Sequence, residues 1–245
     1  MIDQICSKDN KSVKRYKSIA TSGDPFYFTI EGFHLLEMAM QEGCLEEIFV
    51  TENKAYKASK IHICPYSLIK SMSTSVNPEP VLGICKKRGS QLFSSNKALL
   101  LDRVQDPGNV GTLLRSALSF GYCDIYCLEG TCSIYNPKAV SSSQGAILKL
   151  NAFERLKARD IFPLLKEKGY KIYGSALRNS IDIEEIASLR GKFVLCLGNE
   201  GKGMKEENLA MCDSSFYIKI SNIDSLNVGV AGSILMYELN KKWTL

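Results

Sequence analysis

Two histidines and no Cys-x-x-Cys pair leave this sequence without the tight, repeated ligand spacing of a zinc framework. Its nine cysteines, an odd number, read as reduced and mostly buried small apolar residues. No apolar run approaches the ~18 residues that a membrane span needs. The opening residues carry no secretory pattern, so a cytoplasmic protein without a membrane anchor is expected. No Gly-Lys-Ser/Thr closes a glycine turn, which excludes a phosphate-binding P-loop. Gly198, Gly201 and Gly203 are spaced three and then two apart and so miss the dinucleotide fingerprint. There is no internal repeat.

What is present is a chain of 245 residues, 45% hydrophobic, enough to bury a core in one large or two modest domains. The net charge of +5 permits a polyanionic partner without requiring one. The segment 193–239 organises the rest. Phe193-Val194-Leu195-Cys196-Leu197 reads as a buried strand that breaks into the turn Gly198-Asn199-Glu200-Gly201-Lys202-Gly203-Met204. A short helix, a strand over 216–220 and a polar loop at 221–224 follow. Small residues then open the last helical segment, where they permit close backbone approach. An acidic residue and an Asn-bearing loop therefore fall at the carboxyl ends of two strands, the edge where open α/β sheets bind ligands.

The front of the chain reads as a small α/β recognition domain over 1–88. A basic first helix holds Lys8, Lys11, Lys14, Arg15 and Lys17. Strands are expected at 26–30, 48–50, 61–63 and 81–85, and helices after His34 and over 65–72. Residues 89–96 are small and polar and read as a linker. From 97 to 245 strands alternate with helices, which implies a mostly parallel sheet covered on both faces. Strands are expected at 98–101, 124–128, 147–150 and 170–176. Helices are expected at 112–120, from Asn136, at 160–168 and at 183–189, with a long loop over 102–111.

Three motifs line up: Asp106-Pro107-Gly108-Asn109-Val110-Gly111 with Arg115, Leu197 to Met204, and Ser225-Leu226-Asn227-Val228-Gly229-Val230-Ala231. In this order they resemble the signature motifs of the SpoU/TrmH family of RNA 2′-O-ribose methyltransferases, within the SPOUT superfamily. Asn10, Lys14 and Glu31-Gly32-Phe33-His34-Leu35 resemble the family's N-terminal substrate-binding domain, which is similar to certain ribosomal RNA-binding proteins. The resemblance implies a mostly parallel α/β sheet flanked by helices and tied in a deep trefoil knot. It also implies a homodimer and S-adenosylmethionine as cofactor, with no metal. The implied substrate is RNA, ribosomal RNA ahead of transfer RNA, methylated on a ribose 2′-hydroxyl.

Matched residue by residue, the catalytic positions are Asn109, Arg115, Glu200, Ser225 and Asn227. Leu197, Gly198, Asn199 and Gly201 would hold the cofactor, with Ile218, Ile220 and Leu226 packed on it and Ser175 and Ala176 at its border. Lys219, Gly229 and Ser141 depart from the family's common Pro, Ser and Arg. Plainer readings stand beside these. Asn227 and Ser225 could cap the final helix, Glu200 could pair with Lys202 or Lys205, and Arg115 could be a surface charge. A non-catalytic RNA-binding protein with a degenerate methyltransferase domain is the alternative of another class.

Overall fold

The computed structural model describes residues 1–244 other than Asn53, Ala55, Ser90, Arg178, Asn179 and Ala187. The expectations for Ser90 in a linker, Ala187 in a helix and Leu245 at a domain end lie outside the described residues. The chain divides into two compact units, Met1–Gly89 with Tyr135–Lys149, and Ser90–Ile134 with Leu150–Leu245.

The first unit runs β1 (Ile2–Gln4), α1 (Lys11–Ser22), β2 (Tyr27–Glu31), α2 (Phe33–Gln41), β3 (Leu45–Val50), β4 (Lys60–Ile63), α3 (Tyr66–Met72) and β5 (Val81–Lys86). Its sheet has the order β1-β4-β3-β5-β2. β1, β4 and β3 are parallel, and β5 is antiparallel to both of its neighbours. The basic stretch becomes a helix because Asn10 caps it, accepting the Ser12 N–H at 2.8 Å, and because Val13, Tyr16 and Ile19 recur on one face. That face packs on Phe49, Leu82 and Ile84 of the sheet, with Leu68, Ile69 and Met72 of α3 alongside. Strand β1 was not expected; at three residues it is too short for an alternating pattern to register.

The chain continues through β6 (Lys97–Asp102), α4 (Pro107–Ser119) and β7 (Asp124–Leu128). It then makes α5 (Pro137–Ser142) and a 3₁₀ turn at Ala146–Leu148, both within the first unit. There Tyr135 packs at a tilt on Phe28, 5.1 Å between ring centres, and takes the Lys87 ammonium on its ring at 4.0 Å. The expected strand at 147–150 is thus a correction: residues 146–148 form a 3₁₀ turn, and the strand begins one residue beyond, as β8 (Asn151–Leu156).

The second unit continues with α6 (Ala158–Glu167), β9 (Lys171–Ser175), β10 (Ile181–Asp182), β11 (Leu189–Arg190), β12 (Phe193–Gly198), α7 (Glu206–Leu209), β13 (Ser214–Tyr217), α8 (Val228–Lys242) and β14 (Trp243–Thr244). Seven strands pair in the order β10-β13-β9-β12-β6-β7-β8, all of them parallel. β6 and β12 lie at the centre and are buried on both faces, which is why each is an unbroken apolar run. Each fully buried leucine there contributes about 1.5–3 kcal/mol of transfer free energy. Residues expected to form a linker are held to this unit: the Ser94 hydroxyl and the Ser95 N–H both donate to the Asp124 carboxylate.

Three further expectations need correction. The loop expected over 102–111 is helical from Pro107, because Asp106 caps α4 by accepting the Asn109 N–H at 2.9 Å and Pro107 suits the first helical position. The strand expected over 216–220 is Ser214–Tyr217 and ends before Ile218. The helix expected over 183–189 is a 3₁₀ turn at Ile183–Glu185 flanked by β10 and β11. Its apolar residues recur at a helix-like interval, but strand partners win: Ile181 pairs with Phe216 and Leu189 with Trp243. Among the described residues no helix is long and apolar enough to cross a membrane.

Candidate active site

The site grows from the end of β12. A Cβ added at Gly198 would sit 2.1 Å from the Met204 backbone nitrogen, so glycine alone permits the chain to fold back on itself there. Asn199 and Gly203 close the turn with reciprocal backbone bonds of 3.0 and 2.9 Å. The Asn199 side chain then holds the turn from inside. Its Oδ1 accepts from the Gly201 and Lys202 N–H groups at 3.1 Å each, and its Nδ2 donates to the Arg103 carbonyl at 3.0 Å.

Glu200 projects from this turn to the start of α4. It accepts from the backbone N–H groups of Asp106 at 3.0 Å and Gln105 at 3.2 Å, and from the side-chain amides of Asn109 at 3.2 Å and Asn199 at 3.3 Å. Burial alone would raise its pKa, but the Asp106 N–H and the other donors outweigh it and hold the carboxyl below its ordinary value. Glu200 therefore works as a charged clasp, and pairing with a lysine is not its role; Lys205 pairs with Glu207 at 3.3 Å.

Asn109 relays the clasp. Its Oδ1 accepts from Asn227 Nδ2 at 2.9 Å. Asn227 also caps α8, accepting the Gly229 and Val230 N–H groups at 2.9 and 3.2 Å. Asn227 thus caps the helix, as its plainer reading had it, and also bonds to Asn109. A Cβ on Gly232, one turn into α8, would lie 2.4 Å from Leu113 of α4 and Leu197 of β12, so the small residues foreseen at the start of this helix do seat it closely.

Beside the network lies a cavity of about 410 Å³. All nine positions matched to the cofactor line it: Ser175, Ala176, Leu197, Gly198, Asn199, Gly201, Ile218, Ile220 and Leu226. Of the five positions matched as catalytic, Glu200 and Ser225 line it, and Ser225 keeps a hydroxyl without a partner among the described residues. Asn109 and Asn227 stand behind Glu200 in the relay. Arg115 does not join them: it is exposed on α4, and its guanidinium makes no hydrogen bond or ion pair among the described residues.

Sequence reasoning missed Asp102 and Arg103, which anchor the turn from below. Asp102 is 1% exposed and accepts from the Lys205 N–H and the Asn208 amide, both at 2.9 Å. Arg103 takes a left-handed backbone, φ 60°, and donates Nε to Asp102 at 3.0 Å. An acid closing an apolar strand just before the first motif was the available signal. Leu177, Leu209 and Tyr217 also line the cavity and carried no motif of their own.

The family model described as SpoU rRNA Methylase matches residues 96–237. The chain is 31% identical over 246 residues to the 23S rRNA (guanosine(2553)-2′-O)-methyltransferase RlmP of Bacillus subtilis, covering 96% of this chain and 98% of that one. It is 26% identical to an uncharacterized tRNA/rRNA methyltransferase of Synechocystis over 98% and 94% of the two chains. In fold it is similar to the AdoMet-bound rRNA methyltransferase from Sinorhizobium meliloti, with a TM-score of 0.87 at 22% identity over 98% of both chains. The AviRb methyltransferase from Streptomyces viridochromogenes in complex with AdoMet gives 0.82 at 18% identity over 95% and 97% of the two chains.

Proposed function

The chain belongs to the SpoU rRNA Methylase family, and from that premise we propose that it methylates a ribose 2′-hydroxyl of ribosomal RNA with S-adenosylmethionine as donor. The observation that carries the proposal is the meeting of the three motifs: Asn109, Glu200 and Asn227, far apart in sequence, form one hydrogen-bonded chain beside the cavity at the carboxyl edge of the sheet.

The cavity suits the donor. Its wall is apolar at Leu197, Ile218, Ile220 and Leu226, which fits a flat base, and polar at Ser175 and Asn199, which fits a ribose and an amino acid end. The ionised Glu200 in the same wall complements a cation. When bound, the donor supplies an electrophilic methyl group on sulfur. The chain's own task is then to position the hydroxyl and manage its proton.

Glu200 is a poor base, because its oxygens are occupied by four donors and its pKa is lowered. Arg115 cannot accept a proton at all. We therefore assign Arg115 to an RNA phosphate, which fixes the neighbouring 2′-hydroxyl in line with the methyl group, and its proton leaves to solvent as the methyl transfers. Ser225, with its free hydroxyl on the cavity wall, hydrogen-bonds the reacting ribose. Asn109 and Asn227 are positioning residues, since their amides are spent on each other, on Glu200 and on the α8 cap.

The wider reading places RNA recognition in residues 1–88, a joining stretch at 89–96 and catalysis in 97–245, threads the C-terminal segment through a trefoil knot, and pairs two chains in the cytoplasm. The contact of α8 with α4 and the Asn227–Asn109 bond support the threading. Val230 and Tyr237, 49% and 47% exposed on α8, support a paired face there. Sedimentation should then give twice the chain mass, and Tyr237→Glu should give the single chain.

Calorimetric titration with S-adenosylmethionine tests the central step. One site per chain is expected, weakened about tenfold or more by Leu226→Asp, which places a charge in the apolar wall. Absence of binding, with affinity for structured RNA retained, would turn the reading to a non-catalytic RNA-binding protein.

A further inference from the structure

We infer that the first compact unit holds a pocket for one unpaired RNA base that carries an imino N–H beside a carbonyl, guanine or uracil. The inference rests on the RNA reading above. The pocket is a cavity of about 590 Å³ where β2 meets α2, walled by the loop 74–79 and by α5. Its size lies within the ~300–1,000 Å³ of sites that enclose small organic groups.

Two carboxylates build its rim, and they do different work. Glu31 ends β2 and accepts from the Thr74 N–H and Thr74 hydroxyl, both at 2.9 Å, and from the Ser73 hydroxyl. Those bonds pin one end of the loop and use the carboxylate up. Glu79 pins the other end. Its Oε2 accepts the Phe33 N–H at 2.6 Å and caps α2, where the N-cap residue is Gly32 and offers no side chain. The second oxygen of Glu79 has no partner among the described residues.

Across the cavity Asn136 caps α5 by accepting the Lys138 N–H at 2.9 Å, and its amide N–H₂ is likewise without a partner among the described residues. Among the polar groups of the wall, Glu79 thus offers a charged acceptor and Asn136 a neutral donor, with Leu35, Pro137 and Val140 as apolar surface for a ring. Guanine and uracil present the complement, an imino N–H next to a carbonyl oxygen; adenine and cytosine have no imino N–H. A phosphate is disfavoured because two carboxylates, Glu31 and Glu79, line the space against one cation, Lys138. Ser141 also lines it, and its short side chain leaves room there. Single-stranded RNA is commonly read in this way, through splayed bases hydrogen-bonded on their edges.

The test is fluorescence anisotropy on the full chain with labelled octamers of adenylate carrying one central G, U, C or A. The G and U octamers should bind about tenfold more tightly than the C and A octamers. Glu79→Gln keeps an oxygen for Phe33 and turns an amide donor toward the base, so it should abolish that preference. Ser141→Trp, at an exposed rim position, should abolish it by filling the space, even if Glu79→Gln fails to fold. Both variants should keep the wild-type affinity for S-adenosylmethionine. Equal binding of all four octamers overturns the pocket and leaves the RNA reading standing. No binding to any octamer or to a ribosomal RNA fragment overturns both.

Discussion

Two carboxylates, one in each compact unit, are held ionised by opposite means. Glu47 of β3 is 0% exposed and sits among cations: Lys60 at 3.1 Å, the Arg15 guanidinium and the ring of His62 at 3.4 Å. Burial pushes its pKa up, yet His62, Lys60 and Arg15 outweigh this and bring it to about 2. Among the described residues Glu200 pairs with no cation; neutral N–H and amide groups hold it, at the edge of a cavity. The difference teaches what each is for. A carboxylate locked by charges inside a sheet fixes a fold. One locked by neutral donors keeps its charge uncompensated and can present it to a cationic ligand.

The comparison breaks most visibly at Glu47. Glu47→Ala leaves Arg15, Lys60 and His62 without their common partner, and should cost about 3–5 kcal/mol of stability. Chemical denaturation would show it, while S-adenosylmethionine affinity at a permissive temperature should stay near wild type. Glu200→Gln should do the reverse. We expect methyl transfer to fall on the order of 100-fold, with a melting temperature within a few degrees of wild type.

Asn227→Asp sharpens the comparison, since it keeps the oxygen that caps α8 and removes the donor to Asn109. Turnover should drop about tenfold while stability holds, a split that a purely capping role would not produce. The smallest effect is in pH. Burial lowers the His62 pKa, but hydrogen bonds to Glu47 and Asp3 outweigh it and leave the value above the ordinary 6.5. A raised folded-state value means that His62 adds stability below about pH 6.5 and loses it as the pH climbs through the folded value. Glu47 adds stability above about 4.5 and loses it as the pH falls toward 2. The wild-type melting temperature should decline on the alkaline side of His62 titration, and in His62→Gln that decline should be absent.

Much of this was legible in the sequence, for reasons that differ by residue. The central strands announced themselves as unbroken apolar runs at 98–101 and 193–197, because both faces are covered. The nine cavity positions were legible through the resemblance, and the cavity is lined by all of them. The bonds that join Glu200 to Asn109 and Asn109 to Asn227 were not, since they span 91 and 118 positions and no local pattern encodes them. Residues 183–189 misled because Ile183, Ile186 and Leu189 recur like a helix face. In the fold Lys242 reaches back to the Glu184 and Ile186 carbonyls, and β14 pairs with Leu189, so distant partners set that local structure. Asp102 was passed over as the first residue of a loop, although its buried carboxylate fastens the Lys205–Asn208 side of the site.

The measurement that bears most directly on the central claim is a map of ribose methylation. The chain, S-adenosylmethionine and unmodified ribosomal or transfer RNA would be incubated, and 2′-O-methyl positions read by resistance to alkaline cleavage. The account predicts a single new 2′-O-methyl group in ribosomal RNA, lost with Arg115→Ala. Methylation on a base, or turnover near wild type in Arg115→Ala at saturating RNA, would contradict it.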